Sequence, residues 1–248
     1  MSPQQIRSPF RTCSSSDTHE RTLALAAVQQ QIITCERCPR LRDYCTRVAL
    51  EKKAAHRQDT YWGRPVPGFG DPLAPLLVLG LAPAAHGANR TGRVFTGDGS
   101  GDFLMQAMHH AGFASISTSR HTGDGLLLHG AYIAAAVRCA PPKNKPLPQE
   151  IRACHLHLSA EAAALPNLTA IVALGRIAFD AACRLLAERG VVTRPRPPFG
   201  HGVVWRPAGG LMLIASYHPS RQNTNTRRLT MPMLQDVFVQ ARQLIGGN

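Results

Sequence analysis

Four short apolar runs punctuate this chain, and helical stretches separate them. The runs are Leu76-Leu-Val-Leu79 closed by Gly80, residues 132–137, Ala170-Ile-Val-Ala-Leu174 closed by Gly175, and Leu211-Met-Leu-Ile214. Each run is apolar at successive positions rather than alternate ones, the pattern of a strand buried on both faces. Between and after them, residues 102–111, 148–165, 176–189 and 232–245 read as helices, with Pro148 suited to a first turn. Strands alternating with helices imply a fold of the α/β class. The expectation is a three-layer α/β/α sandwich around a central, mainly parallel four-stranded sheet.

The flanks read differently. Residues 20–34 carry Leu23, Leu25, Ala27, Val28 and Ile32 and predict a helix, which Cys35-Glu-Arg-Cys38-Pro39 interrupts. A second helical stretch covers about residues 40–56. Residues 61–75 and 195–202 are rich in Gly and Pro and read as loops. Residues 1–19, with Arg7, Arg11 and Ser14 to Ser16, are expected to be a disordered tail. The remainder, 20–248, reads as one domain.

Sheets of this kind bind ligands outside the carboxyl ends of their strands. The unusual residues gather after three of the four runs, in segments 80–98, 139–145 and 217–225. The charge balance bears on what binds there: 28 Lys and Arg against 15 Asp and Glu give a net +13, which favours a polyanion such as nucleic acid. No apolar run approaches the length of about 18 residues that spans a bilayer, and the N-terminus lacks a secretory signal's apolar centre. A monomer working in the cytoplasm, at the bacterial nucleoid, is expected.

Seven cysteines without a secretory signal point away from a disulfide framework. Cys35 and Cys38 form a CxxC past the first helix, Cys139 follows the second strand, and Cys154 lies on the next helix. Four thiolates from three places can close a site for zinc or for an iron–sulfur cluster, and spacing alone does not choose. Cys45 is a rival ligand by local spacing. Cys13 and Cys183 read as spare thiols.

Three segments carry a resemblance. Gly80-Leu-Ala-Pro-Ala-Ala-His-Gly-Ala-Asn-Arg-Thr-Gly-Arg-Val-Phe-Thr-Gly-Asp98-Gly-Ser-Gly101 resembles the first motif of family 5 (type b) uracil-DNA glycosylases. Val137-Arg-Cys-Ala-Pro-Pro-Lys-Asn144-Lys-Pro146 is similar to their second motif, and Ser216-Tyr-His-Pro-Ser-Arg-Gln-Asn223 to their third. Cys35, Cys38, Cys139 and Cys154 are similar to the ligands of that family's 4Fe–4S cluster. The resemblance runs from about residue 34 to 244. It departs at Arg227-Arg228-Leu-Thr230, where the family pattern has a glycine at the first of these positions.

What the resemblance implies is an enzyme that flips a base out of DNA and cuts its N-glycosidic bond. Such a reaction needs an anion or a held water near the sugar and a donor near the departing base. By resemblance Asp98 serves the sugar and His218 donates to the base. Without a substrate, Asp98 would be a helix N-cap and His218 a strand-end structural residue. Phe95 is expected to stack on the base or to pack the core, and Asn144 to read base edges. Gly80, Ala82 and Gly87 would let backbone approach the base. Ser220, Arg221, Gln222 and Asn223 are expected to touch DNA phosphates or fill the gap the base leaves, with Arg90 and Arg93 as further phosphate candidates.

The expected partner is DNA containing uracil or other deaminated bases. In family 4 relatives a glutamate follows the first motif's glycine, where this chain has Leu81. The relatives' uracil-reading asparagine is also missing from Ile133-Ala-Ala-Ala136. That combination implies relaxed selectivity that extends to hypoxanthine. Two other readings keep the cysteines and the charge: a non-catalytic iron–sulfur DNA-binding protein, which has no need of Asp98 and His218 at strand ends, and an iron–sulfur nuclease. The latter wants clustered carboxylates for Mg²⁺, and no paired Asp or Glu lies on the strands. A small-molecule redox protein would place its CxxC at a strand-to-helix turn, not between two helices.

Overall fold

A computed structural model of the chain describes residues 15–191, 195–207 and 210–246. The helix expected from residue 20 begins earlier, as α1 (Ser15–Ile33), so the N-terminal segment expected to be disordered is helical from Ser15 onward. Its first 14 residues, including Cys13, lie outside the described residues. Next come α2 (Pro39–Glu51), β1 (Phe69–Gly70), β2 (Leu76–Gly80), α3 (Ala88–Thr91), α4 (Gly99–His110), β3 (Ala131–Ala135), α5 (Pro148–Ala164), β4 (Ala170–Leu174), α6 (Arg176–Glu188), β5 (Val204–Trp205), β6 (Met212–Ser216), α7 (Arg221–Asn225) and α8 (Met231–Gly246).

The sheet has six strands among the described residues, not four, in the order β1-β3-β2-β4-β6-β5. The expected four form its parallel centre. The additional strands are antiparallel two-residue edges, too short to leave any periodicity in the sequence. β1 falls inside the Gly/Pro stretch read as loop. A Cβ on Gly68 or Gly70 would collide with the ring or backbone of Tyr132 or with the neighbouring carbonyls of β3, so glycine lets the edge approach that closely.

Every residue of β2, β3, β4 and β6 is buried, which explains the unbroken apolar runs. Alternate side chains serve two cores. Leu76, Val78, Ile133, Val172 and Ile214 face α4 and α8. Leu77, Leu79, Ile171 and Leu213 face the other layer, with Leu25 of α1, Leu158 of α5 and Phe179 of α6. Each buried leucine stabilises by roughly 1.5–3 kcal/mol relative to an exposed one. A third, smaller core joins Leu41 and Cys45 of α2 to Val137, Cys139 and Cys154. No described helix is long and apolar enough to cross a membrane.

From β2 the chain moves to β3 on one side, and from β4 to β6 on the other. The topological switch therefore lies where β2 adjoins β4, and in sheets of this kind a crevice opens at the carboxyl ends of the strands at that point.

Candidate active site

The crevice is walled by the three segments that follow β2, β3 and β6. Beyond Gly80 the chain continues the ladder briefly: Ala136 N–H donates to the Gly80 carbonyl (2.9 Å) and Val137 N–H to the Leu81 carbonyl (2.9 Å). Ala82 packs against the third core. The chain then turns through α3 and returns at Phe95 over the end of β2.

Phe95 holds a left-handed backbone, φ +50°, which a bulky residue adopts only when its surroundings impose it. Two glycines make room. A Cβ on Gly80 would strike the Phe95 ring, and one on Gly101 would strike the Phe95 carbonyl. The ring is partly buried. It stacks on His218, with centroids 5.8 Å apart and planes 30° apart. His218 in turn leans over the end of β4, where Gly175 (φ +90°) has no Cβ to obstruct it; a Cβ there would lie 3.2 Å from that of His218. Phe95 and His218 thus bridge the switch point from opposite sides.

The backbone at His218 is tied down. Its carbonyl accepts from Ser220 N–H (2.8 Å) and from the Asn223 side-chain amide (2.9 Å). Ser220 caps α7, its Oγ accepting from Asn223 N–H. Asn223, expected to contact DNA, thus positions His218. Burial pushes the imidazole down to about 4, so it is neutral at neutral pH and can donate a hydrogen bond without carrying charge.

Asp98 caps α4. Its Oδ1 accepts from Ser100 N–H (2.9 Å) and Gly101 N–H (3.0 Å), so the capping role is realised. Oδ2 has no such bond and points at Gly87, where a Cβ would overlap it. Burial raises the carboxyl above the usual range, and the two amides oppose that rise. Exposed Arg221 extends toward the start of α4, and Gln222 is exposed beside it.

Other expected residues sit further out. Asn144 has φ +56° in an exposed turn, and its side chain has no hydrogen-bond partner among the described residues. Arg90 and Arg93 are not free for phosphates. Arg90 pairs with Asp59 (2.7 Å) and bonds the His86 and Gly97 carbonyls. Arg93 is buried against Asp124 (2.6 Å), Ser119 and Thr96. These arginines brace the loop that carries Phe95.

The cysteines meet on the far side of the third core. Cys35 follows α1, Cys38 caps α2, Cys139 follows β3 and Cys154 lies on α5, and all four line one cavity with Leu41, Arg138 and His157. Arg40 pairs with Glu150 through two bonds of 2.7 Å, fastening the start of α2 to the start of α5. Cys45 is fully buried, donates to the Ala140 carbonyl (3.7 Å) and is not part of the cavity lining. Among the described residues, no three His, Cys, Asp or Glu side chains are grouped tightly enough for a single metal ion.

The donor chemistry fits a cationic inorganic group. Burial pushes the Cys154 thiol up to about 11 and that of Cys38 upward, while a hydrogen bond to Cys45 and burial do the same at Cys139. Such thiols ionise only when a cation compensates. The Arg138 amide already donates to Cys154 Sγ (3.2 Å).

A mainly parallel sheet whose switch point carries a stacked aromatic and histidine, with a partly buried aspartate at the start of α4, places the chain among α/β enzymes. The family comparison agrees: residues 67–242 match the model of the uracil DNA glycosylase superfamily, to which this chain belongs. It is 51% identical over 220 residues to a type-5 uracil-DNA glycosylase of Thermus thermophilus, covering 89% of this chain and 98% of that protein. A Mycobacterium tuberculosis protein of the same description is 49% identical over 216 residues, covering 87% and 80%. One from Pyrobaculum aerophilum is 43% identical over 211 residues, covering 85% and 89%.

Proposed function

We propose that this chain is a uracil-DNA glycosylase that flips uracil out of DNA and hydrolyses its N-glycosidic bond, leaving an abasic site. The observation that carries this reading is the Phe95–His218 stack across the switch point with Asp98 nearby. An extruded base lies against the Phe95 face. Neutral His218 donates to a base carbonyl as negative charge gathers there. Asp98 Oδ2, not occupied by capping, stabilises the positive sugar or orients the attacking water. Arg221 and Gln222, exposed at the rim, hold the DNA backbone.

Cys35, Cys38, Cys139 and Cys154 hold a 4Fe–4S cluster in this reading. The cluster's contribution is structural: it staples α1, α2, the end of β3 and α5 together. Support comes from the four thiols that line one cavity.

Selectivity is relaxed in this reading and extends to hypoxanthine. Ala134, Ala135 and Ala136 present no side-chain amide at the end of β3, and Leu81 cannot hold a water. Shape and stacking reject analogues weakly, whereas a site that hydrogen-bonds its substrate rejects them strongly.

The test is a 5′-labelled duplex with one deoxyuridine. Strand breakage only after alkali is expected. No breakage would leave a non-catalytic DNA-binding protein, and breakage without alkali a nuclease. Single-turnover rates on uracil opposite guanine, uracil opposite adenine and hypoxanthine opposite thymine measure the range. The mismatched uracil should be fastest because an unpaired base costs less to flip. No hypoxanthine release under enzyme excess would refute the relaxed pocket.

A further inference from the structure

Arg138 lies between Val137 and Cys139, and its side chain is 1% exposed. One carboxylate faces it: Glu161 Oε2 is 2.5 Å from Nη2. Glu161 is itself fully buried, and its other oxygen accepts from Gly68 N–H (2.8 Å) and Tyr132 O–H (3.0 Å). The charge of Arg138 is therefore balanced, yet its hydrogen bonding is not. Nη2 is engaged by Glu161, but Nε and Nη1 lack a hydrogen-bond partner among the described residues, although every guanidinium nitrogen is a donor. Leaving buried donors of a charged group unpaired is costly, and native proteins rarely do so without a reason.

The reason lies in what Arg138 lines. It faces the cysteine cavity together with His157, whereas Glu161 is not part of that lining. His157 is also buried, and its Nε2 has no partner. It sits three residues after Cys154 on α5, on the same helix face. Two buried side chains with unpartnered nitrogens, Arg138 and His157, thus flank the thiols in one cavity. Thiolate and inorganic sulfide are acceptors, and hydrogen bonds to cluster sulfur raise the reduction potential by stabilising the more negative reduced state.

We propose that Arg138, assisted by His157, is a positioning residue that donates hydrogen bonds to the sulfur of the iron–sulfur cluster and holds its reduction potential up. The inference rests on the cofactor reading above. Glu161 and Tyr132 orient the guanidinium from behind. The cluster's electrostatic environment is thereby linked to Gly68 on the approach to β1 and, through Gln29 bonded to both Tyr132 and Gly68, to α1.

The experiment is an anaerobic redox titration of the full chain, with iron counted, for wild type, Arg138→Lys, His157→Leu and the double variant Arg138→Gln/Glu161→Gln. The double variant leaves no buried charge unpaired. Expected results are wild-type iron in every variant, a potential shifted negative in all three, and a smaller shift for Arg138→Lys than for the double variant. A merely structural ion pair would lower the melting temperature and leave the potential where it was. If the double variant does not fold, Arg138→Lys and His157→Leu decide. Unshifted potentials in iron-loaded variants overturn this inference alone; wild-type protein with no cluster overturns the cofactor reading with it.

Discussion

Asp98 places one carboxylate oxygen on the amides of its own helix and the other in space that Gly87 leaves open by lacking a Cβ. In the proposed reading one side chain does two jobs that substitution can separate. Asp98→Asn keeps the capping oxygen and removes the charge. It should fold with near wild-type stability and lose single-turnover excision by roughly 10²–10⁴-fold. Asp98→Ala loses the cap as well, and should be less stable by about 1 kcal/mol. Gly87→Ala pushes its methyl against Oδ2 and should slow excision while DNA binding persists. Equal excision by Asp98→Asn and wild type would remove Asp98 from the chemistry and leave it a cap.

The acid–base behaviour follows from burial. Asp98 must be ionised to act, and burial raises its carboxyl above the usual range. Excision should therefore decline on the acid side at a higher pH than an exposed aspartate would give. His218 stays neutral down to about 4, so no limb is expected near the ordinary histidine value of about 6.5. Stability carries its own signature. As pH falls below about 6.5 the unfolded chain protonates this histidine first, so the folded state loses stability progressively until about 4. The acid-side drop in melting temperature should be shallower in His218→Gln than in wild type. Identical slopes would mean that His218 is not held neutral by the fold.

Much of this site was legible because strand ends can be read from apolar runs. Locating the ends of β2 and β6 was enough to single out segments 80–98 and 217–225; the roles expected of Asp98, Phe95 and His218 within them came only from the family resemblance, because an aspartate at a helix start and a histidine at a strand end read as structural by themselves. What was hidden are partnerships across long sequence separations. Arg90 and Arg93 read as phosphate ligands because nothing local announces Asp59 or Asp124 as their partners. The bond of the Asn223 amide to the His218 carbonyl was hidden as well, because it depends on the turn into α7. Gly175 was visible only as a strand terminator, although its missing Cβ is what admits His218. The edges β1 and β5 are too short for periodicity to register.

DNA affinity should depend steeply on salt, with a log–log slope near −0.9 per phosphate contacted. Arg221 is exposed at the rim of the crevice, whereas Arg90 and Arg93 are internally paired. Arg221→Ala should weaken binding about equally across sequences and reduce the slope by about 1. Arg93→Ala should instead destabilise the loop carrying Phe95. The two are separated by measuring salt dependence alongside melting temperature, and an unchanged slope for Arg221→Ala would exclude a phosphate contact.

The cofactor reading distinguishes seven thiols that look alike in composition. Anaerobically purified protein should be brown with about four irons per chain. Cys154→Ser should lose them. Cys183→Ser should keep them, since Cys183 lies on α6 among Phe179, Leu185 and Leu186, away from the cavity. Cys45→Ser is the sharper test, because Cys45 is buried beside Cys139 yet outside the lining. Iron retained in Cys45→Ser fixes Cys139 as the ligand; iron lost there but kept in Cys139→Ser reverses the assignment.

Arg227 stands where the family pattern has glycine, and its backbone has φ +56°. In that left-handed region a Cβ crowds the following carbonyl, at a cost of about 1–2 kcal/mol that glycine avoids. Glycine gives part of this back through the freedom it gains in the unfolded chain, about 0.5–1 kcal/mol. The conformation is imposed from both sides: Arg227 N–H donates to the Thr224 carbonyl (3.1 Å) as α7 ends, and Leu229 N–H donates to the Asn223 carbonyl (3.0 Å) while its side chain enters the core. Arg228, the next residue, lies over the Tyr217 ring at 4.7 Å, so the turn also fixes the residue beside His218. The Arg227 side chain is exposed and makes no ion pair among the described residues. Arg227→Gly should therefore raise stability by up to about 1.5 kcal/mol in denaturant titration, the balance of those two figures, without changing single-turnover excision. A destabilised Arg227→Gly variant would show that the arginine makes a compensating interaction, and an Arg227→Ala variant, which keeps the strain and removes the side chain, would then be destabilised further still.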